Sequence, residues 1–179
     1  MQHFNLTLFH FVNDAAGYYL SLDVFMIFLT TYLAWMVSIA TILYIVVWIP
    51  IRHAQPLDRL KNFAQAGEFV FSIGASWIVV ETIKILIAHE RPAVVFADAV
   101  NVLVQQSGYS FPSAHAALTT ALATTTYLYH KRLGVFLFLF AFVIGLSRIY
   151  VGVHYPIDVL VGILLGILIP YGVHRVFKK

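Results

Sequence analysis

The chain has 179 residues, 61% of them hydrophobic and 11% charged, with a mean hydropathy of +0.86. Such values exclude an ordinary soluble domain and make the bilayer the expected solvent. A sequence pI of about 9.2 would suit a nucleic-acid binder, but eight of the eleven Lys and Arg residues are accounted for by membrane topology, and the absence of cysteine excludes disulfides, thiolate metal sites and cysteine nucleophiles.

Phe4 to Val12 mixes large apolar side chains with Asn5, Thr7 and His10 and is too short to span a bilayer. The segment 1–20 therefore reads as an interfacial helix at the outer face, with re-entry as the alternative. No basic region precedes these residues, so no cleavable signal peptide is expected. Val24 to Ile51 lacks Asp, Glu, Lys and Arg and exceeds the roughly 20 residues a helical span needs, which makes it the first span. Ala66 to Ala88 is the second, and its Glu68, Glu81 and Lys84 must face protein, water or the interface. Ser113–Tyr129, Leu133–Tyr150 and Pro156–Val173 follow as shorter spans that polar flanks can extend into the headgroups. The expected fold is all-α, one polytopic transmembrane bundle of about five spans plus the N-terminal interfacial helix, forming a single domain over residues 1–179.

Arg52, Arg59, Lys61, Lys131, Arg132, Arg175, Lys178 and Lys179 lie in the gaps and tail that bound these runs, as cytoplasmic loops require. Anionic lipid headgroups are their expected partners. The amino terminus and the loop from His89 to Pro112 then face outward, together with Lys84, Arg91 and Arg148. Three cations kept on the side that topology does not favour suggest an anion site.

Lys84 and Arg91 are seven residues apart and share a helix face if the second helix continues that far. Snorkelling, with Lys84 neutralised by Glu81, is the alternative. Ser113 reads as the N-cap of the third span, with free amides beyond it that attract phosphate, or as a cap alone, with His115 in an interfacial hydrogen-bonding niche. His154 and Asp158 are four residues apart around Pro156, so the carboxylate can fix the imidazole tautomer; a buried tie between helices is the plainer use of such a pair.

Taken together, Lys84–Arg91–Pro92, Pro112–Ser113–Ala114–His115 and Ser147–Arg148 with His154 and Asp158 resemble the type 2 phosphatidic acid phosphatase superfamily, whose fold is shared with vanadium haloperoxidases. The resemblance covers residues 84–158 and departs at Ala114, where the family most often has glycine. It implies that His154 attacks phosphorus, that Asp158 orients it, and that His115 protonates the leaving oxygen and then activates water. Lys84, Arg91, Ser113, Arg148 and the Ala114 amide would hold the phosphoryl oxygens, with no metal and no cofactor. The implied substrate is a lipid phosphate or pyrophosphate, at the outer face of a bacterial cytoplasmic membrane. The run His154–Asp158 looks most like undecaprenyl pyrophosphate phosphatases, ahead of phosphatidylglycerophosphate and lipid A phosphatases. A transporter or channel using Glu81, Lys84, Arg148 and Asp158 is the reading from another class.

The native chain has no cysteine, so topology can be read directly. Single cysteines at Asp98 and Lys131 should label from opposite sides of intact cells; labelling from one side would displace the spans and the outward site together.

Overall fold

A computed structural model describes residues 2–44, 56–96 and 100–178. It contains α1 (Gln2–Asn13), α2 (Leu20–Leu43), α3 (Pro56–Ile87), the single-turn α4 (Pro92–Val95), α5 (Ala114–Tyr129), α6 (Lys131–Tyr150) and α7 (Pro156–Phe177). No strand occurs among the described residues. The expected first span starts four residues early, at Leu20, and its end lies outside the described residues; the second begins ten residues early, at Pro56. Much of the basic gap after the first span, with Arg52 and the Arg59 and Lys61 side chains, is likewise outside them, as are Asp98 and Lys179.

Four of these helices, α2, α3, α6 and α7, are long and apolar enough to cross a membrane. The third expected span, α5, has 16 residues, or about 24 Å at 1.5 Å per residue. Its position explains its composition. Ten of its residues, from Ala116 to Thr126, are buried, so it packs within the bundle and needs small side chains more than greasy ones. The outer helices show the reverse pattern, with exposed Trp35, Phe71, Ile78, Leu139, Leu164 and Leu168, as lipid-facing surfaces require.

Close packing holds α5 against α7. A Cβ on Gly162 would stand 2.6 Å from the Ser113 carbonyl, and one on Gly166 would stand 2.4 Å from that of Ala117. Only glycine allows backbones this near, and the four-residue spacing repeats it on one face. Thr124 Oγ1 donates to the Gly166 carbonyl at 2.9 Å, and Ser113 N donates to the Asp158 carbonyl at 3.0 Å. At the opposite end of the bundle from His154, buried Glu68 accepts from Tyr129 and pairs with His174 Nδ1 at 2.8 Å, which answers where that acidic residue goes.

α1 docks on the end of the bundle that carries His154. Phe9 is fully buried, 5.7 Å between ring centres from Tyr155, in a cluster with Val100, Ala116, Ile149 and Val159. Asn13 pins the helix end: its Nδ2 donates to the carbonyls of Asn101 (2.8 Å) and Tyr150 (2.9 Å), and its Oδ1 accepts from Asn101 N at 3.0 Å.

The α5–α7 contact yields a direct expectation. Gly166→Val forces side-chain atoms into the α5 backbone and should cost at least about 1–3 kcal/mol, lowering the thermal midpoint in detergent. Gly172→Ala, which meets nothing within 4 Å, should not lower the midpoint.

Candidate active site

Each predicted site residue is carried to one end of the bundle by a local feature of the chain. α3 ends at Ile87, and Ala88 adopts a left-handed φ of 51°, so the helix does not reach Arg91 and the shared-face expectation for Lys84 and Arg91 does not hold. Arg91 instead stands in extended backbone ahead of Pro92, which opens α4. Both side chains are nonetheless buried. Ser113 caps α5 as expected, its Oγ accepting from Ala116 N at 3.5 Å. Beyond the cap, the first-turn amides of Ala114 and His115 have no intrahelical acceptor. Pro156 begins α7, and Asp158 Oδ2 accepts from Tyr155 N at 2.9 Å, which places the carboxylate at the positive end of that helix.

The two arginines differ in their partners. Arg91 donates to four carbonyls: Nε to Gly108 (2.9 Å), Nη1 to Val153 (2.8 Å), and Nη2 to Ser107 (3.3 Å) and Tyr109 (3.0 Å). Arg148 donates once, from Nη1 to Thr30 Oγ1 at 2.6 Å. Its Nε and Nη2 are buried with no partner among the described residues. A buried guanidinium left half-unpaired costs on the order of several kcal/mol unless an anion takes the open edge. Lys84 Nζ lies 3.3 Å from Glu81 Oε1, so the neutralising contact of the snorkelling alternative is present, although the amine is buried. Arg148, Lys84 and Arg91 all direct positive charge toward His115.

His154 is fully buried, and its tautomer follows from its neighbours. Arg91 Nη1 lies 3.2 Å from Nε2. A guanidinium only donates, so Nε2 carries the lone pair and Nδ1 the proton. Burial drives the imidazole down to about 3, with Arg148 and Arg91 pushing the same way and Asp158 opposing. Nδ1 stands 3.5 Å from Asp158 Oδ2, longer than a normal N–H···O bond. The reason is competition, because Oδ2 already accepts from Tyr155 N and from the Ser110 hydroxyl, which itself lies 3.5 Å from Nδ1. Burial likewise raises the Tyr155 phenol to about 12, reinforced by Asp158 and Glu90, and lowers the Arg91 guanidinium against the pull of Asp158 and Glu81.

Ser110 and Thr30 are the polar partners that motif reading missed. Ser110 left a faint local signal, a hydroxyl three residues before Ser113; Thr30 left none. Two apolar cavities flank the cluster. One of about 200 Å³ is lined by Ala34, Trp35, Trp77, Leu118 and His115. The other, about 700 Å³, runs under α1 past Phe4, Leu8, Phe111 and Ile157 to Asp158.

Residues 65–179 match the family model described as the PAP2 superfamily. The chain belongs to the PAP2 superfamily. It is 30% identical over 174 residues to the putative undecaprenyl-diphosphatase YbjG of Escherichia coli, covering 94% of this chain and 80% of that one. It is 28% identical to the bacitracin transport permease protein BcrC of Bacillus licheniformis, over 92% of this chain and 76% of that one. Among solved structures, Aquifex aeolicus LpxE superposes with a TM-score of 0.76 at 30% identity, covering 96% of this chain and 95% of that chain. The PAP2 match takes in all eight predicted site residues and leaves α1 and α2 outside it. With its apolar helices, this PAP2 protein is an integral membrane protein.

The depressed value at His154 has a defined sign. A base held to about 3 keeps its lone pair far below the 6.5 of a free imidazole. In ¹⁵N-histidine spectra of the ligand-free protein, the resonance lost in His154→Ala should keep the Nδ1–H pattern from about pH 8 to about pH 5. A midpoint near 6.5 would contradict it.

Proposed function

We propose that the protein is a membrane lipid phosphatase that hydrolyses a lipid phosphate or pyrophosphate, foremost undecaprenyl pyrophosphate to undecaprenyl phosphate, through a phosphohistidine. The observation that carries this reading is the open edge of Arg148: two buried guanidinium donors without partners among the described residues, beside an imidazole whose Nε2 keeps its lone pair. Phosphate oxygens satisfy such donors bidentately.

In the first step, Nε2 of His154 attacks phosphorus while the bond to the leaving oxygen breaks, and His115 gives that oxygen its proton. The Arg91 Nη1 donor, which caps Nε2 in the free protein, turns to the incoming phosphoryl group. Lys84, Arg91, Arg148, Ser113 and the Ala114 amide balance the charge that builds on the equatorial oxygens. In the second step His115 takes a proton from water, whose oxygen attacks phosphorus and breaks the P–Nε2 bond, releasing inorganic phosphate. Asp158 holds the Nδ1–H tautomer and stabilises the imidazolium character that develops on the ring.

The acid decides where the lipid lies. His115 protonates the leaving group, so the lipid departs on its side, and the apolar cavity of Trp35, Trp77 and Leu118 opens there. A single flexible hydrocarbon chain suits that space and its membrane-facing walls. The site faces the outer side of the cytoplasmic membrane, with α1 in the interface above it. The transporter reading, whose vocabulary the B. licheniformis relative's name shares, lacks support from charge placement, since the cations gather at one end and mark no path. A substrate panel of undecaprenyl pyrophosphate, phosphatidylglycerophosphate, phosphatidic acid and lipid A in one detergent tests both readings: phosphate release from none of them would end the phosphatase proposal.

Three cations stand where other phosphatases place metal ions, so turnover should survive excess chelator and fall with vanadate. His154→Ala should abolish turnover and any covalent phosphoenzyme. His115→Ala should lose about 10²–10⁴-fold with lipid substrates, yet still trap a phosphoenzyme from a substrate with a good leaving group. Phosphate found on His115 in the His154→Ala protein would reverse the two roles.

A further inference from the structure

Thr30 lies in the first span, 118 residues from Arg148 and outside the segment that matches the family model. Three observations about it converge. The first is its hydroxyl. Elsewhere on α2 the buried or half-buried hydroxyls turn back on their own helix, Ser38 Oγ to the Ala34 carbonyl and Thr41 Oγ1 to that of Val37, each at 2.7 Å. Thr30 Oγ1, fully buried, is instead 2.6 Å from Arg148 Nη1.

The second is the edge that this contact leaves open. In a guanidinium, Nη1 lies on the side of Cδ, whereas Nε–H and Nη2–H point the same way and form the fork that meets two oxygens at once. Those are the two nitrogens without partners among the described residues. Thr30 thus holds the one corner of the group that a side-on phosphate does not need.

The third is the helix geometry. Leu29–Leu33 forms a π turn inside α2, a feature frequent at functional sites. Its i→i+5 repeat brings residues five apart toward one face, and Trp35 is five residues after Thr30. The Trp35 ring meets His115 edge-on, with 6.3 Å between centres. One local widening of the first span therefore sends Thr30 to the phosphate cation and Trp35 to the acid.

We propose that Thr30 is a positioning residue of the phosphatase site, fixing the Arg148 guanidinium so that its Nε–Nη2 edge is presented to two phosphoryl oxygens. The proposal rests on the reading of Arg148 as a phosphate ligand given above. Its test uses the full chain in detergent, with Thr30→Val, Thr30→Ala and Thr30→Ser compared against wild type for undecaprenyl pyrophosphate turnover, orthovanadate binding and thermal midpoint. Loss of the hydroxyl in Thr30→Val should lower kcat about tenfold or more, with KM changed by less than about threefold, and weaken vanadate by a similar factor at an unchanged midpoint. Thr30→Ser should recover most of both. If Thr30→Val unfolds, Thr30→Ala removes the same hydroxyl without packing new atoms against Arg148 and is read in its place. Wild-type kcat and vanadate affinity in the hydroxyl-free variant would overturn the proposal. So would equal loss in Thr30→Ser, which would make the residue a packing element. Vanadate binding is read without turnover, so a wild-type protein inactive on every lipid would sink the substrate reading while the Thr30 comparison still stands or falls by itself.

Discussion

Everything at the active end depends on how two buried guanidinium groups are satisfied. Arg91 meets a ring of backbone carbonyls, those of Ser107, Gly108, Tyr109 and Val153, and thereby ties the loop before α5 to the turn before α7. That tie brings the Ser113 cap and His154 to the same end of the bundle from segments some 40 residues apart. Arg148 is buried as deeply but left open on one edge. The pair divides the work of one charge type: a saturated cation builds the loop scaffold, and the other keeps one edge open. Desolvation makes the second state costly, and an anion meeting the open edge would relieve that cost.

The parts of this arrangement that were legible in the sequence are those whose signals are local. Ser113 caps α5 because a hydroxyl next to a helix start has one obvious acceptor role, and Pro156 with Asp158 opens α7 for similar reasons. Long apolar runs announced the spans. Helix ends were less readable: the halt of α3 at Ile87 comes from a left-handed Ala88, a residue type that gives no warning of it. The run of apolar and neutral residues in α5 has the length of a short span, whereas its burial, set by the helices around it, decides why it is rich in threonine and alanine.

What stayed hidden was long-range. Nothing near Thr30 or Ser110 reports that their hydroxyls meet Arg148 and Asp158, and nothing in the composition says which arginine will find carbonyls and which will not. The Gly162–Gly166 spacing is an exception of another kind. It is a readable small-residue signal for close helix approach, and reading it would have paired α5 with α7 from the sequence.

That pairing fixes more than a contact. The Ser113–Asp158 backbone bond and the absence of room above Gly162 join the helix bearing His115 to the helix bearing Asp158 into one unit. Sliding between them is blocked by backbone atoms, which cannot repack as side chains do. The span between His115 and His154 is therefore set like the jaws of a fixed-gap tool. Any breathing that admits a bulky lipid must be taken up by the opposite wall, where α2 and α3 present Trp35 and Trp77 to the surrounding hydrocarbon.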